Sequence, residues 1–195
     1  MTTTTNLNDL AKQIHENAVA KGFWDEPRNT GEIFMLIVSE LGEALEADRK
    51  GRRADTAAIE DAVRRGYSWE DSPISFEAHF KQDIKDTFED EIADAVIRIL
   101  DWCAFAELTV DIPMYEAHGD FDFPKDSNIG EVLLDITMWI CRARRDVSID
   151  TEACFNAAVI LCCNLADAQG FGLIQHIELK MKYNATREHK HGKKY

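Results

Sequence analysis

The chain has 195 residues, 45% of them hydrophobic, which suffices for one domain with a real core and excludes a mostly disordered polymer. Its formal net charge of −14 describes a surface that repels nucleic acid and anionic membranes. No apolar run approaches the ~18 residues of a membrane span, and MTTTTNLNDL has neither the basic nor the apolar region of a secretory signal, so a soluble, cytoplasmic protein is expected, with no nucleic-acid or membrane partner.

Apolar residues recur with a period near 3.6 and nowhere alternate for long, which predicts an all-α chain. A first helix is expected from about Leu7 to Lys21, with Leu10, Ile14 and Ala18 as its stripe, Asn6 or Asn8 as its cap and Gly22 as its end. A second opens near Asn29 or Thr30, buries Ile33, Ile37, Leu41 and Leu45, and fades at Lys50-Gly51. Thr56 to Arg65 reads as a short helix stopped by Gly66. A third long helix is expected from Ser75 to Leu108, its clearest stripe being Phe88, Ile92, Val96, Ile99 and Cys103. Thr109 to Ser127, with two prolines, reads as a loop. A fourth helix spans about Ile129 to Arg145, with Val132, Ile136, Trp139 and Ala143 facing inward. The fifth is capped by Asp150 or Thr151 and ends near Gly170; the last runs from there to about Thr186. Residues 1–186 thus form a single helical bundle of about six helices, and 187–195 a basic, mobile tail. Trp102 and Trp139 read as core. The five cysteines make no Cys-x-x-Cys pair and read as reduced thiols, four of them within apolar helix.

Charge is unevenly distributed. Nine carboxylates and two lysines lie between Glu70 and Asp94, whereas Lys180 to Tyr195 carries six Lys/Arg and one acid. An acidic centre and a basic end suit a cation site with an anion clamp, though a solvated face and an exposed tail account for the same pattern. More specific are Glu40-Leu41-Gly42-Glu43 on the second helix and Glu91-Ile92-Ala93-Asp94 on the third. In each, two carboxylates three residues apart project from one face beside an apolar stripe. Two such helices side by side gather carboxylates whose mutual repulsion a hard divalent cation would relieve, and oxygen-only ligands select Mg²⁺, with Mn²⁺ as a substitute. A glycine between the two glutamates of a mid-helix motif costs ~1 kcal/mol against alanine, so Gly42 suggests close approach of a helix or ligand. A di-iron bundle would need Glu-x-x-His on two helices; the one instance, Glu188 to His191, lies in the tail.

The stretches SELGEALEADRKG and EDEIADAVIRILD resemble the paired acidic signature of the all-α nucleoside triphosphate pyrophosphohydrolases, which include MazG-like enzymes, dimeric dUTP pyrophosphatases and phosphoribosyl-ATP pyrophosphohydrolases. The end of the chain, KMKYNATREHKHGKKY, and GFWDEPRNTGE before the first motif resemble MazG-like enzymes as well, so the similarity covers about half the chain. The resemblance implies an all-α NTP pyrophosphatase bundle that hydrolyses a (d)NTP to (d)NMP and pyrophosphate with Mg²⁺ held by Glu40, Glu43, Glu91 and Asp94. Glu43 or Glu40 would take the proton of the attacking water. Lys180, Asn184 and Arg187 would hold phosphates, and Lys190 and Lys193 of the tail could close as a lid. Phe23 and Trp24 could stack on the base or, more simply, pack their loop onto the bundle. A homodimer is implied, with a tetramer also compatible. The chain departs from the short members of the family in the 47 residues between Glu43 and Glu91, where roughly Arg52 to Ala78 is extra, and again at Thr109 to Asp126. These insertions leave broad (d)NTP hydrolysis and dUTP/dCTP selectivity both open. The competing class is a non-catalytic helical binding or regulatory protein with a structural cation.

Overall fold

The computed structural model describes residues 6–57, 76–111, 126–145 and 150–192. Most of the expected helix over 56–65, most of the loop over 109–127, and Lys193 and Lys194 lie outside them. Among the described residues the secondary structure is entirely helical, as the sequence predicts. The long helices are α1 (Leu7–Ala20), α2 (Thr30–Arg49), α4 (Phe88–Phe105), α5 (Ile129–Arg145), α6 (Thr151–Gln169) and α7 (Leu173–Thr186); α3 is the single turn Phe76–His79, continued by a π-helical turn over Phe80–Ile84. No single one of them is long and apolar enough to cross a membrane.

The ends follow local chemistry. Asn6, Asn29 and Asp150 accept hydrogen bonds from backbone N–H groups of the first turns of α1, α2 and α6, satisfying donors that a helix start leaves open. Gly22 and Gly170, both left-handed, end α1 and α6. The expected unbroken helix from Ser75 to Leu108 is interrupted. The π turn closes with Lys85 N donating to Phe80 O (2.7 Å), Asp86 turns left-handed (φ 59°), and the Thr87 side chain caps α4 by accepting from Asp90 N. Thr87 followed by Glu89, Asp90 and Glu91 is an N-terminal signature that the apolar stripe alone conceals.

Helix α4 is the axis of the bundle. It packs against α1, α2, α6 and α7, while α5 packs on α2 and α6. Phe88, Ile92, Val96, Ile99 and Cys103 are all buried, as expected of its stripe. So are Ile33, Ile37 and Leu41 of α2, but Leu45 is 37% exposed and Ala44 fills the inner position instead. Gly42 is exposed, and a methyl group built on it would meet nothing within 4 Å, so none of the described helices approaches it. Trp102 and Trp139 are partly buried against the core. Cys103, Cys154 and Cys162 are buried, Cys163 half-buried and Cys141 exposed, and none of the five is in a disulfide.

Truncating a side chain on the axis removes contacts to several helices at once. Ile99→Ala is expected to cost about 2–5 kcal/mol, against about 0.5–2 kcal/mol for Asn29→Ala, which removes one cap. Urea unfolding of the two variants checks the order.

Candidate metal and anion site

The first three turns of α4 carry Glu89, Asp90, Glu91, Asp94 and Arg98, and α2 lies alongside with Glu40. One carboxylate oxygen from each of Glu40, Glu91 and Asp94 falls within 4.8 Å of the others, with Glu40 and Glu91 buried and Asp94 half-buried. Glu91 and Asp94 are i and i+3 on α4, so one face presents both, and the packing of α2 brings Glu40 to them. Three of the four predicted ligands therefore converge. Glu43, one turn further along α2, is exposed and stands outside the trio.

Two of the three carboxylates have cationic partners within the chain. Arg98 donates through Nε (2.6 Å) and Nη2 (2.5 Å) to Glu40 Oε1. Lys180 on α7 lies 2.7 Å from Asp94 Oδ2 and 2.8 Å from Asp90 Oδ2. No donor reaches the Glu91 carboxylate among the described residues. Burial, and then the charges of Asp94 and Asp90, push its pKa up to about 9. Burial likewise raises Asp90, to about 6, against the pull of Lys180. Burial lowers the Lys180 ammonium, but Asp94 and Asp90 outweigh it and hold its pKa above the ordinary value. A hard divalent cation fits this donor set. All three donors are carboxylate oxygens, and Glu91 is a buried acid that lacks the counter-charge its neighbours already have.

A pocket opens beside Asp94, in the wedge between α1, α4 and α7. Asn17, Lys21, Arg28, Asp94, Arg98, Asp101, Asn184, Arg187 and His191 supply its polar lining, and Ile14, Ala18, Phe23, Ile97 and Met181 its apolar walls. Asn184 and Arg187, two of the residues expected to hold phosphate, line this pocket. Lys180 does not. It is only 5% exposed, tied to the two aspartates, and outside the pocket lining. Lys182 lies over the Phe76 ring, 4.6 Å from its centroid.

The tail is docked as far as Gly192. Lys190 N donates to Lys21 O (2.8 Å), His189 Nε2 lies 3.1 Å from Asp25 Oδ2, and the His191 ring meets Phe23 edge-on at 5.0 Å. Gly22 makes room for this, since a Cβ there would come within 1.9 Å of the His189 ring. Lys190 is anchored through its backbone and its side chain is half-exposed; Lys193 lies beyond the described residues. Trp24 packs its loop: it stacks on Phe105 (4.1 Å, 20°) and its Nε1 donates to Asp101 (3.0 Å). His15 Nδ1 completes that group at 2.7 Å from Asp101 Oδ1.

Arg28, Arg98, Asp90, Asp101 and Asn17 are not among the residues that the motifs place at the site. Arg98 had a usable signal, being i+4 from Asp94 and i+7 from Glu91 on one face. Arg28 and Asn17 had none, since only the packing of α1 on α4 brings them to the pocket. No family model, no curated protein and no solved structure matches the chain.

The raised pKa of Glu91 links stability to pH in the metal-free protein. Its contribution is full below the unfolded value of ~4.3 and is lost as pH rises towards about 9. Glu91→Gln removes the ionisation. The variant is expected to melt higher than the parent in EDTA at pH ~8 and to show a flatter dependence of Tm between pH ~6 and 9; parallel curves would show that Glu91 ionises freely in the fold.

Proposed function

We propose that the protein is a Mg²⁺-dependent nucleoside triphosphate pyrophosphohydrolase, releasing a nucleoside monophosphate and pyrophosphate. The observation that carries this reading is the juxtaposition of an all-oxygen carboxylate trio, Glu40, Glu91 and Asp94, with a pocket rimmed by Arg28, Arg98 and Arg187. A divalent cation and a polyanion are the two ligands such neighbours favour together.

In this reading Glu40, Glu91 and Asp94 hold the ion. When bound, it supplies charge neutralisation at phosphate oxygens and acidifies an attacking water. The chain does the rest. Arg98, bonded to Glu40, also lines the pocket, where its guanidinium would bind the phosphates. Arg28 and Arg187 bind the same anion from the loop and from the end of α7, with Asn184 beside them. Glu43, solvent-facing on the next turn of α2, accepts the proton of the water at its carboxylate. The nucleoside lies between Ile14, Ala18, Phe23 and Met181, where Asn17 and Asp101 meet its polar edges. The docked tail, through His191 and Arg187, covers the mouth.

A second reading has one observation in its favour. Arg98 and Lys180 already neutralise Glu40 and Asp94, as an internal ion-pair network of a non-catalytic binding protein would. Turnover separates the two. With Mg²⁺, pyrophosphate release is expected from at least one member of a (d)NTP panel that includes dUTP and dCTP, and none in EDTA. Glu40→Gln and Asp94→Asn should each abolish release while circular dichroism stays helical, and full activity in both would sink the assignment.

We propose further that two copies associate through α2 and α5. These helices pack together and carry the exposed apolar residues Met35 (63% exposed), Leu134 (59%) and Met138 (49%), and Gly42 of α2 is exposed as well. Light scattering is expected to give a homodimer mass, with Leu134→Glu/Met138→Glu monomeric; a monomeric parent would remove the assignment.

A further inference from the structure

Lys180 is held away from both solvent and pocket. Its ammonium bonds two aspartates on successive turns of α4, and the Phe80 ring centroid lies 5.5 Å from Nζ. Phe80 in turn stacks on Tyr183 (4.4 Å, 10°) and, with Phe76 and Ile84, forms a small apolar cluster of its own. The segment that interrupts the expected long helix is therefore what seals Lys180: the π turn delivers Phe80 over it. On the far side Asp90, 1% exposed, is fixed by Asp86 N donating to its Oδ2 (3.0 Å). Asp90 Oδ1 has no partner, so Lys180 is the only counter-charge this buried carboxylate has among the described residues.

We propose that Lys180 is a positioning residue that stays bonded to Asp90 and Asp94, aims Asp94 at the cation, and leaves the anion to the three arginines. The inference rests on the metal-site reading of Glu40, Glu91 and Asp94. Swinging Lys180 out to a phosphate would leave Asp90 buried and uncompensated, which costs far more than a surface ion pair returns. Asp90, which never meets the substrate, then governs the affinity for the ion. Without its charge, Lys180 falls wholly on Asp94 and competes with the cation for that oxygen.

The test is Mn²⁺ binding to the full chain by isothermal titration, without nucleotide. Asp90→Asn is expected to weaken binding about 10–100-fold, the usual effect of disturbing a group that orients a ligand. Asp90→Asn/Lys180→Met removes the competing ammonium together with its anchor and is expected to recover the part of the loss due to competition while keeping the part due to the lost aim of Asp94, a non-additivity that two independent sites would not give. Asp90→Glu, which keeps the charge but displaces it, is the second variant should Asp90→Asn not fold, and it too should bind Mn²⁺ more weakly. Parental affinity in the single Asp90 variants overturns the proposal. So does a Lys180→Met protein that binds Mn²⁺ normally and loses only nucleotide affinity, or a parent that binds no Mn²⁺. A chain that shows the Asp90 effect yet hydrolyses nothing keeps Lys180 as positioned here and loses the enzymatic reading instead.

Discussion

Several carboxylates within the first two turns of one helix must be taken out of water, and much of the architecture around α4 supplies them with partners. Glu89 accepts from Ala54 N (2.8 Å) and lies 3.8 Å from Arg53 Nη1. Asp90 is held by Lys180 and by Asp86 N. Glu40 meets Arg98, and Asp94 shares Lys180. An isolated buried carboxylate costs several kcal/mol, so these partners are a condition of the fold. The start of such a helix also suits acids, because its free N–H groups carry partial positive charge.

Each partner comes from a different part of the chain, which ties distant segments to one place. The stretch that follows α2 reaches α4 through Arg52 O, which accepts from Phe88 N (3.1 Å), and runs beside the π turn through Asp55 N to Asp83 O (2.9 Å). Helix α7 arrives with Lys180, and its Tyr183 stacks on the Phe80 ring that lies over the ammonium. The stretch between the two acidic motifs thus supports the candidate site: Phe80 of the π turn lies over the Lys180 ammonium, and Arg52 O receives the first N–H of α4.

Glu91 is the exception among these acids, and the exception is informative. Its neighbours are paired, whereas no described residue donates a hydrogen bond to it, so burial and the charges of Asp94 and Asp90 prevail over that of Lys180 and it keeps its proton well above the usual carboxylate range. That is the condition in which a hard cation gains most from binding. The pocket beside it differs in character: arginines and asparagines face inward over apolar walls, and a docked tail with two successive left-handed residues, Lys190 and His191, closes one side.

Much of the fold was legible in the sequence because helices are local objects. The caps at Asn6, Asn29 and Asp150, the glycine stops at Gly22 and Gly170, and the stripe from Phe88 to Cys103 all act within a few residues and appear where the pattern puts them. The pairing of Glu91 with Asp94 was legible for the same reason, since i and i+3 share a face whatever surrounds them. The break at Asp86-Thr87 was missed because the apolar stripe runs on in phase through a signal written in polar residues. Leu45 and Gly42 show the opposite limit, for which side of a helix another element covers is not a local property. By itself the sequence determined an all-helical chain and two acidic faces. Only tertiary packing decided that Glu40 joins Glu91 and Asp94 while Glu43 stays outside, and that Lys180 serves two aspartates while Arg28 and Arg98 line the pocket, because the partner of a buried charge is whichever group the neighbouring helices bring within hydrogen-bond reach.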